Sequence, residues 1–121
     1  MEYFARKIDD KNRLTIPSEL HKVFRSGVVV TRGFEKSLHL YPKNLWDREM
    51  LKALEGEILD EKITQLNEKF RIGKTQMQLD GKQGRIKLDK FQLSYAQINK
   101  EVIAYQAQKG FWVVKNPKFV K

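Results

Sequence analysis

The stretch Asp9-Asp10-Lys11-Asn12-Arg13-Leu14-Thr15-Ile16-Pro17 decides how the rest of the chain is read, because its pattern occurs twice. Ile8 leads into a polar turn, the turn into the alternating strand Leu14-Thr15-Ile16, and Pro17 opens a short helical stretch. The counterpart further along is Leu79, the turn Asp80-Gly81-Lys82-Gln83-Gly84-Arg85, the strand Ile86-Lys87-Leu88 and then Asp89-Lys90-Phe91. Each copy continues with an apolar strand, Val28-Val29-Val30 or Val102-Ile103-Ala104. A glycine turn follows at Gly33 or Gly110, then a second strand, Leu38-His39-Leu40 or Phe111-Trp112-Val113. Alternation bounded by turn residues marks strands, and self-similarity along a chain marks a duplicated unit. The unit is strand, basic turn, strand, short helix and hairpin.

Turn chemistry explains why these loops close. Gly84 takes positive φ at no steric cost, and Asn12, at the matching place before the arginine, is one of the few other residues that tolerates it. Both turns can therefore be tight and present Arg13 and Arg85 at equivalent positions. Pro17 suits the first turn of a helix, and Ser18 and Asp89 are predicted to cap such turns by accepting backbone N–H bonds.

Between the copies, Trp46, Met50, Leu54 and Ile58 recur every fourth residue and so share one helix face. Asn44 with Asp47 is the predicted start of this helix, Gly56 its stop, and Asp60 the start of a second helix carrying Ile63, Leu66 and Phe70. The expected fold class is α+β: a first β-rich repeat over residues 1–42, a helical connector over 43–73 and a second repeat over 74–121, in one integrated domain. The apolar stripe from Trp46 to Phe70 is expected to be core or subunit interface, with no cofactor site.

Charge is unevenly spread. The chain has 121 residues and a net charge of +9, from 24 Lys and Arg against 15 Asp and Glu. Residues 43–69 hold seven acids and five bases, a net of −2, which leaves +11 on the flanking segments. A basic surface held apart from an acidic insert points to a polyanionic partner, since each phosphate neutralised releases condensed counterions. A hydrophobic content of 40% is enough for a packed core. The absence of cysteine rules out disulfides and zinc fingers and fits a reducing cytosol. No stretch approaches the roughly 20 apolar residues of a membrane span, and the first residues lack the apolar region of a signal peptide. A cytoplasmic protein without a membrane partner is expected.

Nothing in the sequence points to catalysis. His21 and His39 are isolated, the latter at a polar-facing place in an alternating strand, and neither has metal-ligand spacing. There is no phosphate-cradling Gly-x-x-x-x-Gly-Lys loop and no nucleophile elbow. Asp9 and Asp10 are neighbours on an extended turn and point apart, which disqualifies them as an acid/base pair. No enzyme activity, metal, cofactor or small-molecule substrate is expected.

The turn string from Asp9 to Pro17, followed by Val29-Val30-Thr31-Arg32-Gly33 and Leu38-His39-Leu40-Tyr41-Pro42 ahead of Trp46, resembles the first half of the MraZ family. The second half resembles it too. Phe70 and Gly73 lead to Leu79-Asp80 and Gln83-Gly84-Arg85-Ile86, then Asn99-Lys100-Glu101-Val102 and Phe111-Trp112. Asn12 stands where the family usually has glycine, Asp89 where it commonly has proline, and the second turn is one residue longer than the first. The resemblance implies an AbrB-like fold, a pseudo-symmetric double swapped-hairpin barrel with both halves in one chain, assembled into homo-oligomeric rings. It also implies a nucleoid-associated regulator that binds short direct repeats in double-stranded DNA at the promoter of a cell-division and cell-wall gene cluster. On that analogy the Asp-x-x-x-Arg turn, Asp9 with Arg13, faces DNA, and Arg85 stands at the matching place.

Side-chain geometry assigns the contacts. Arginine presents a planar fork that fits guanine O6 and N7 or clamps a phosphate, whereas lysine acts as a point charge. Arg13 and Arg85 are assigned to base or bidentate phosphate contacts, Lys11 and Lys82 to phosphates, and Asn12 and Gln83 to base edges. Asp9, Asp80 and Gly84 are expected to shape the turns. Two other readings remain: an RNA-binding or antitoxin-like module, which exposure of Tyr3, Phe4, Phe111 and Trp112 would favour although their strand patterns predict burial, and a structural ring whose charge is incidental.

Overall fold

In the computed structural model, which describes residues 1–120, the two copies exchange strands. The first copy supplies β1 (Tyr3–Lys7), β2 (Arg13–Thr15), a 3-10 turn at Ser18–Leu20, and the hairpin of β3 (Val28–Arg32) and β4 (Leu38–Pro42). The second supplies β5 (Thr75–Met77), β6 (Arg85–Lys87), the helix Lys90–Ala96, and the hairpin of β7 (Glu101–Gln106) and β8 (Trp112–Lys115). β1 does not lie on its own hairpin but antiparallel to β7, and β5 lies antiparallel to β3. β4 and β8 join the two hairpins. The result is a six-stranded sheet in the order β1-β7-β8-β4-β3-β5, with β2 and β6 forming a separate two-stranded ladder. The class is α+β, as expected.

Alternation along the strands divides the buried residues between two faces. Val28, Val30, Leu38, Leu40, Trp112 and Val114 pack on one side with Leu14, Ile16, Ile86 and Leu88 from the ladder and its flanks. Val29 and Tyr41 face the other side, under Leu45, Trp46, Leu54 and Phe70 of the connector. β4 is buried along its whole length because it is covered on both faces. β1 lies at the sheet edge, where only Phe4 is buried.

The connector departs from its predicted boundaries. Helical backbone begins at Lys43, directly after Pro42, without a side-chain cap. Asn44 Oδ1 instead accepts the Leu45 N–H at 2.9 Å. Asp47 pairs with Lys43. The helix runs through Lys43–Leu45, a π turn at Trp46–Met50 and Leu51–Ala53. It stops short of Gly56, so Ile58 falls in the link and is 90% exposed, outside the stripe that Trp46 and Leu54 do form. Asp60 caps the second helix, Glu61–Arg71, as predicted, accepting from the Lys62 and Ile63 N–H groups. Asn67 Nδ2 ties the two helices by donating to the Leu54 carbonyl at 2.8 Å.

The two short helical stretches after the basic turns differ. Asp89 closes a reciprocal capping box with Gln92. Pro17 is itself the N-cap of the 3-10 turn, and Ser18 lies inside it with its hydroxyl on the Glu19 carboxylate, so Ser18 caps nothing. Buried Gln92 fastens the second copy to the first and to the end of the connector, donating from Nε2 to the Val30 carbonyl at 3.3 Å and the Gly73 carbonyl at 3.0 Å.

Leu14, fully buried opposite Ile86, is the centre of the ladder. Leu14→Ala is expected to lower the unfolding free energy in urea by about 2–5 kcal/mol, the range for a core leucine that leaves a cavity. A loss below about 1 kcal/mol would detach the ladder from the cooperative core.

Candidate nucleic-acid interface

The first basic turn is built around one carboxylate. Asp9 Oδ1 accepts the backbone N–H groups of Lys11 and Arg13, each at 2.9 Å, and Oδ2 takes the Arg13 Nε–H at 2.7 Å. The Arg13 backbone N–H, followed by its guanidinium and the Lys11 N–H, holds the Asp9 carboxyl below the usual carboxylate range against a smaller opposing effect of burial. Asn12 sits in the left-handed region at φ 62°, the conformation expected of it in the position before the arginine.

The second turn solves the same problem differently. Asp80 and Arg85 exchange both backbone hydrogen bonds, at 2.8 and 3.0 Å, and Gly81 and Gly84 take φ of 69° and 67°. The extra residue removes the cradle: Arg85 Nη2 is 3.9 Å from Asp80 Oδ2, and the Arg85 Nε is buried with no partner among the described residues. Gly84 is needed for space as well as for φ. A Cβ there would collide with the ring of His21, which is fixed by donation from Nε2 to the Ile16 carbonyl at 2.8 Å.

The ladder joins the two turns. β2 pairs with β6 in the register Arg13–Lys87, Leu14–Ile86 and Thr15–Arg85. Beyond it, the Leu88 N–H donates to the Asn12 carbonyl at 2.9 Å and the Ile16 N–H to the Gly84 carbonyl at 2.8 Å. Leu14 and Ile86 point into the core, so Arg13, Thr15, Arg85 and Lys87 share the opposite face. Lys11, Lys82 and Gln83 are exposed on the flanking turns and Asn12 is half-buried. Of the six residues assigned to contacts, Arg13 and Arg85 thus lie on one ribbon and Lys11, Asn12, Lys82 and Gln83 on the two turns that flank it. Thr15 and Lys87 were not singled out from sequence. Each lies two residues from an arginine on its own strand, a signal that becomes usable once β2 is known to pair with β6.

Residues 1–64 match the model of the family described as "MraZ protein, putative antitoxin-like". The chain belongs to the MraZ family. A protein of Roseiflexus sp. (strain RS-1) named "Transcriptional regulator MraZ" is 33% identical over 83% of this chain and 69% of its own length. One of the same name from Thermomicrobium roseum is 34% identical, over 83% and 70%. Another from Clostridium acetobutylicum is 29% identical, over 98% of this chain and 82% of its own length. The family match covers the first turn and most of the connector; the duplicated turn at Asp80 to Arg85 lies beyond it.

Two aromatic positions differ from expectation. His39 is not polar-facing: it is buried among Tyr41, Phe70 and Phe111, with Nδ1 2.8 Å from the Tyr41 hydroxyl. The connector covers that face of the sheet, which alternation along β4 alone does not reveal. Burial, with a smaller contribution from Lys69, pushes its pKa down to about 4. Tyr3 is 65% exposed, whereas Phe4 and Trp112 are buried and Phe111 is half-buried. β1 sits beyond the reach of the connector, so its outward face stays in solvent. No helix among the described residues is long and apolar enough to cross a membrane.

Two outcomes are expected. Gly84→Ala destabilises the chain by about 1 kcal/mol or more, and His21→Ala in the same background relieves part of that loss in a double-mutant cycle. Additive losses would mean that the ring does not set the constraint. The depressed His39 pKa means that the unfolded chain takes up a proton the folded one refuses. Stability is then full above about pH 6.5 and falls by an amount on the order of 3 kcal/mol as pH drops towards 4. His39→Gln should flatten the denaturation midpoint across that window.

Proposed function

We propose that this chain is a sequence-specific, double-stranded-DNA-binding transcriptional regulator that acts at short repeated promoter boxes of a cell-division and cell-wall gene cluster. The observation that carries the reading is the β2–β6 ribbon, which turns two arginines and a lysine outward between two basic turns. The major groove of B-DNA, about 12 Å wide, admits a two-stranded ribbon of this kind. Arg13 and Arg85 make base or bidentate phosphate contacts, Lys11 and Lys82 contact phosphates, and Asn12 and Gln83 reach base edges. Asp9, Asp80 and Gly84 shape the turns. The relatives' name, "Transcriptional regulator MraZ", supports the regulatory role.

The exchange of β1 and β5 between hairpins supports an AbrB-like double swapped-hairpin barrel, with halves 1–42 and 74–121 and connector 43–73 folding as one domain. A homo-oligomeric ring would place identical ribbons along one surface and multiply affinity for repeated boxes through effective concentration. The protein works at the nucleoid in the cytoplasm, without catalysis, cofactor, small-molecule substrate or membrane partner. The RNA-binding or antitoxin-like alternative rests on the family description and on Tyr3. A base-stacking platform needs several exposed rings, and Phe4 and Trp112 are not available for one.

The test is binding to the chain's own upstream promoter fragment against a scrambled fragment across a salt series. Selective, salt-sensitive binding is expected; equal binding to both leaves a non-specific polyanion binder. Arg13→Ala and Arg85→Ala should fold normally and each weaken promoter binding by about 1–3 kcal/mol. Unfolding of either variant would make that arginine structural.

A further inference from the structure

The two halves of the ribbon are related by the duplication but do not carry equal charge. Residues 9–15 contain two acids and two bases, Asp9, Asp10, Lys11 and Arg13, and are neutral overall. Residues 80–87 contain one acid and three bases, Asp80, Lys82, Arg85 and Lys87, a net of +2. The difference is written into the outer face itself. The register pairs Arg13 with Lys87 and Thr15 with Arg85, so the duplication preserves the arginines while Thr15 stands in the first strand at the position that Lys87 takes in the second. The arginines also differ in how they are held. Arg13 is locked to Asp9 at 2.7 Å, its orientation fixed and part of its charge balanced. Arg85 keeps only a looser ion pair, 3.9 Å from Asp80.

Resting on the DNA-binding reading above, we propose a division of labour: Arg13 reads a base edge, while Arg85, Lys82 and the newly assigned Lys87 hold the phosphate backbone. A carboxylate-locked arginine contributes little net attraction but presents its remaining donors in one geometry, which discriminates between bases. Three cations against one carboxylate supply attraction without sequence information, which is what phosphate contacts do. Lys87 lies exposed on the ladder face beside Arg13 and has no acidic partner across the strand. The ribbon therefore reads its target with a direction despite its near symmetry, one strand end specifying and the other anchoring.

Charge-conserving variants separate the roles, because Lys keeps the charge of Arg but not its fork. With promoter and scrambled duplexes in a salt series, Arg13→Lys should reduce the promoter-to-scrambled affinity ratio by roughly tenfold or more. Arg85→Lys should leave that ratio unchanged. Lys87→Ala should weaken both duplexes by the same factor and make the slope of log affinity against log salt shallower by about 0.9. Lys52→Ala, on the connector, is the control and should leave the slope alone. Equal loss of selectivity in the two Arg→Lys variants, or an unchanged slope in Lys87→Ala, overturns the division of labour while promoter binding by the wild type stands. Failure of the wild-type chain to bind either duplex removes the DNA reading itself and the inference with it.

Discussion

The antiparallel pairing of β2 with β6, closed on its inner side by Leu14 against Ile86, is the constraint on which the rest of the structure depends. Each strand is only three residues long, and a two-stranded ribbon of that size has no stability of its own in water. It persists because its inner side chains complete the core beneath the six-stranded sheet, each contributing about 1.5–3 kcal/mol by burial. That sheet is in turn held together by exchanged strands, β1 on β7 and β5 on β3. Neither half can then assemble its sheet or its ribbon alone. The reciprocal bonds from Leu88 to Asn12 and from Ile16 to Gly84 extend the same dependence to the turns, so each turn is positioned by the other half of the chain.

Placing cations on so small a surface raises a problem of self-repulsion, and the molecule answers it in two ways. Asp9 offsets Arg13 directly. The acidic residues of the connector are carried on the opposite face of the sheet, beyond Val29 and Tyr41, where they cannot neutralise the ribbon. Arg32 makes a different compromise. Its guanidinium lies over the rings of Phe91 and Tyr95 and donates to the Glu68 carbonyl at 2.9 Å, so it braces the connector against the second half. A basic residue in this chain is thus a candidate contact only where it projects from the ribbon or its two flanking turns, and net charge alone does not say which ones do.

The duplicated pattern was legible because turn chemistry and period-two alternation are local. Asn12 and Gly84 fall where positive φ is needed, and Asp60 and Asp89 cap the helices that follow them. What sequence does not carry is which strand meets which. Thr15 and Lys87 join the site only through the cross-half register, and His39 is buried only because a connector distant in sequence covers β4. The misplaced connector boundaries have a local cause. The helix ends at Ala53, so the four-residue stripe drawn from Trp46 holds as far as Leu54 and its next position, Ile58, falls beyond the helix in solvent.

A ribbon made by two identical chains would have to carry the same side chains on both strands. Here both strands belong to one chain, so each position can change independently while the backbone pairing stays the same. The differences fall where that freedom costs the fold least. The inward residues are alike in the two halves, Leu14 and Ile86, whereas the equivalent outward residues are Thr15 and Lys87, an acidic cradle in one half corresponds to a backbone bridge in the other, and a 3-10 turn to a capped helix anchored by Gln92. Packing demands symmetry of the buried face only. The exposed face is released from it, and an exposed face with unequal ends is what a protein needs in order to distinguish the two directions along a duplex whose own backbone is nearly symmetric.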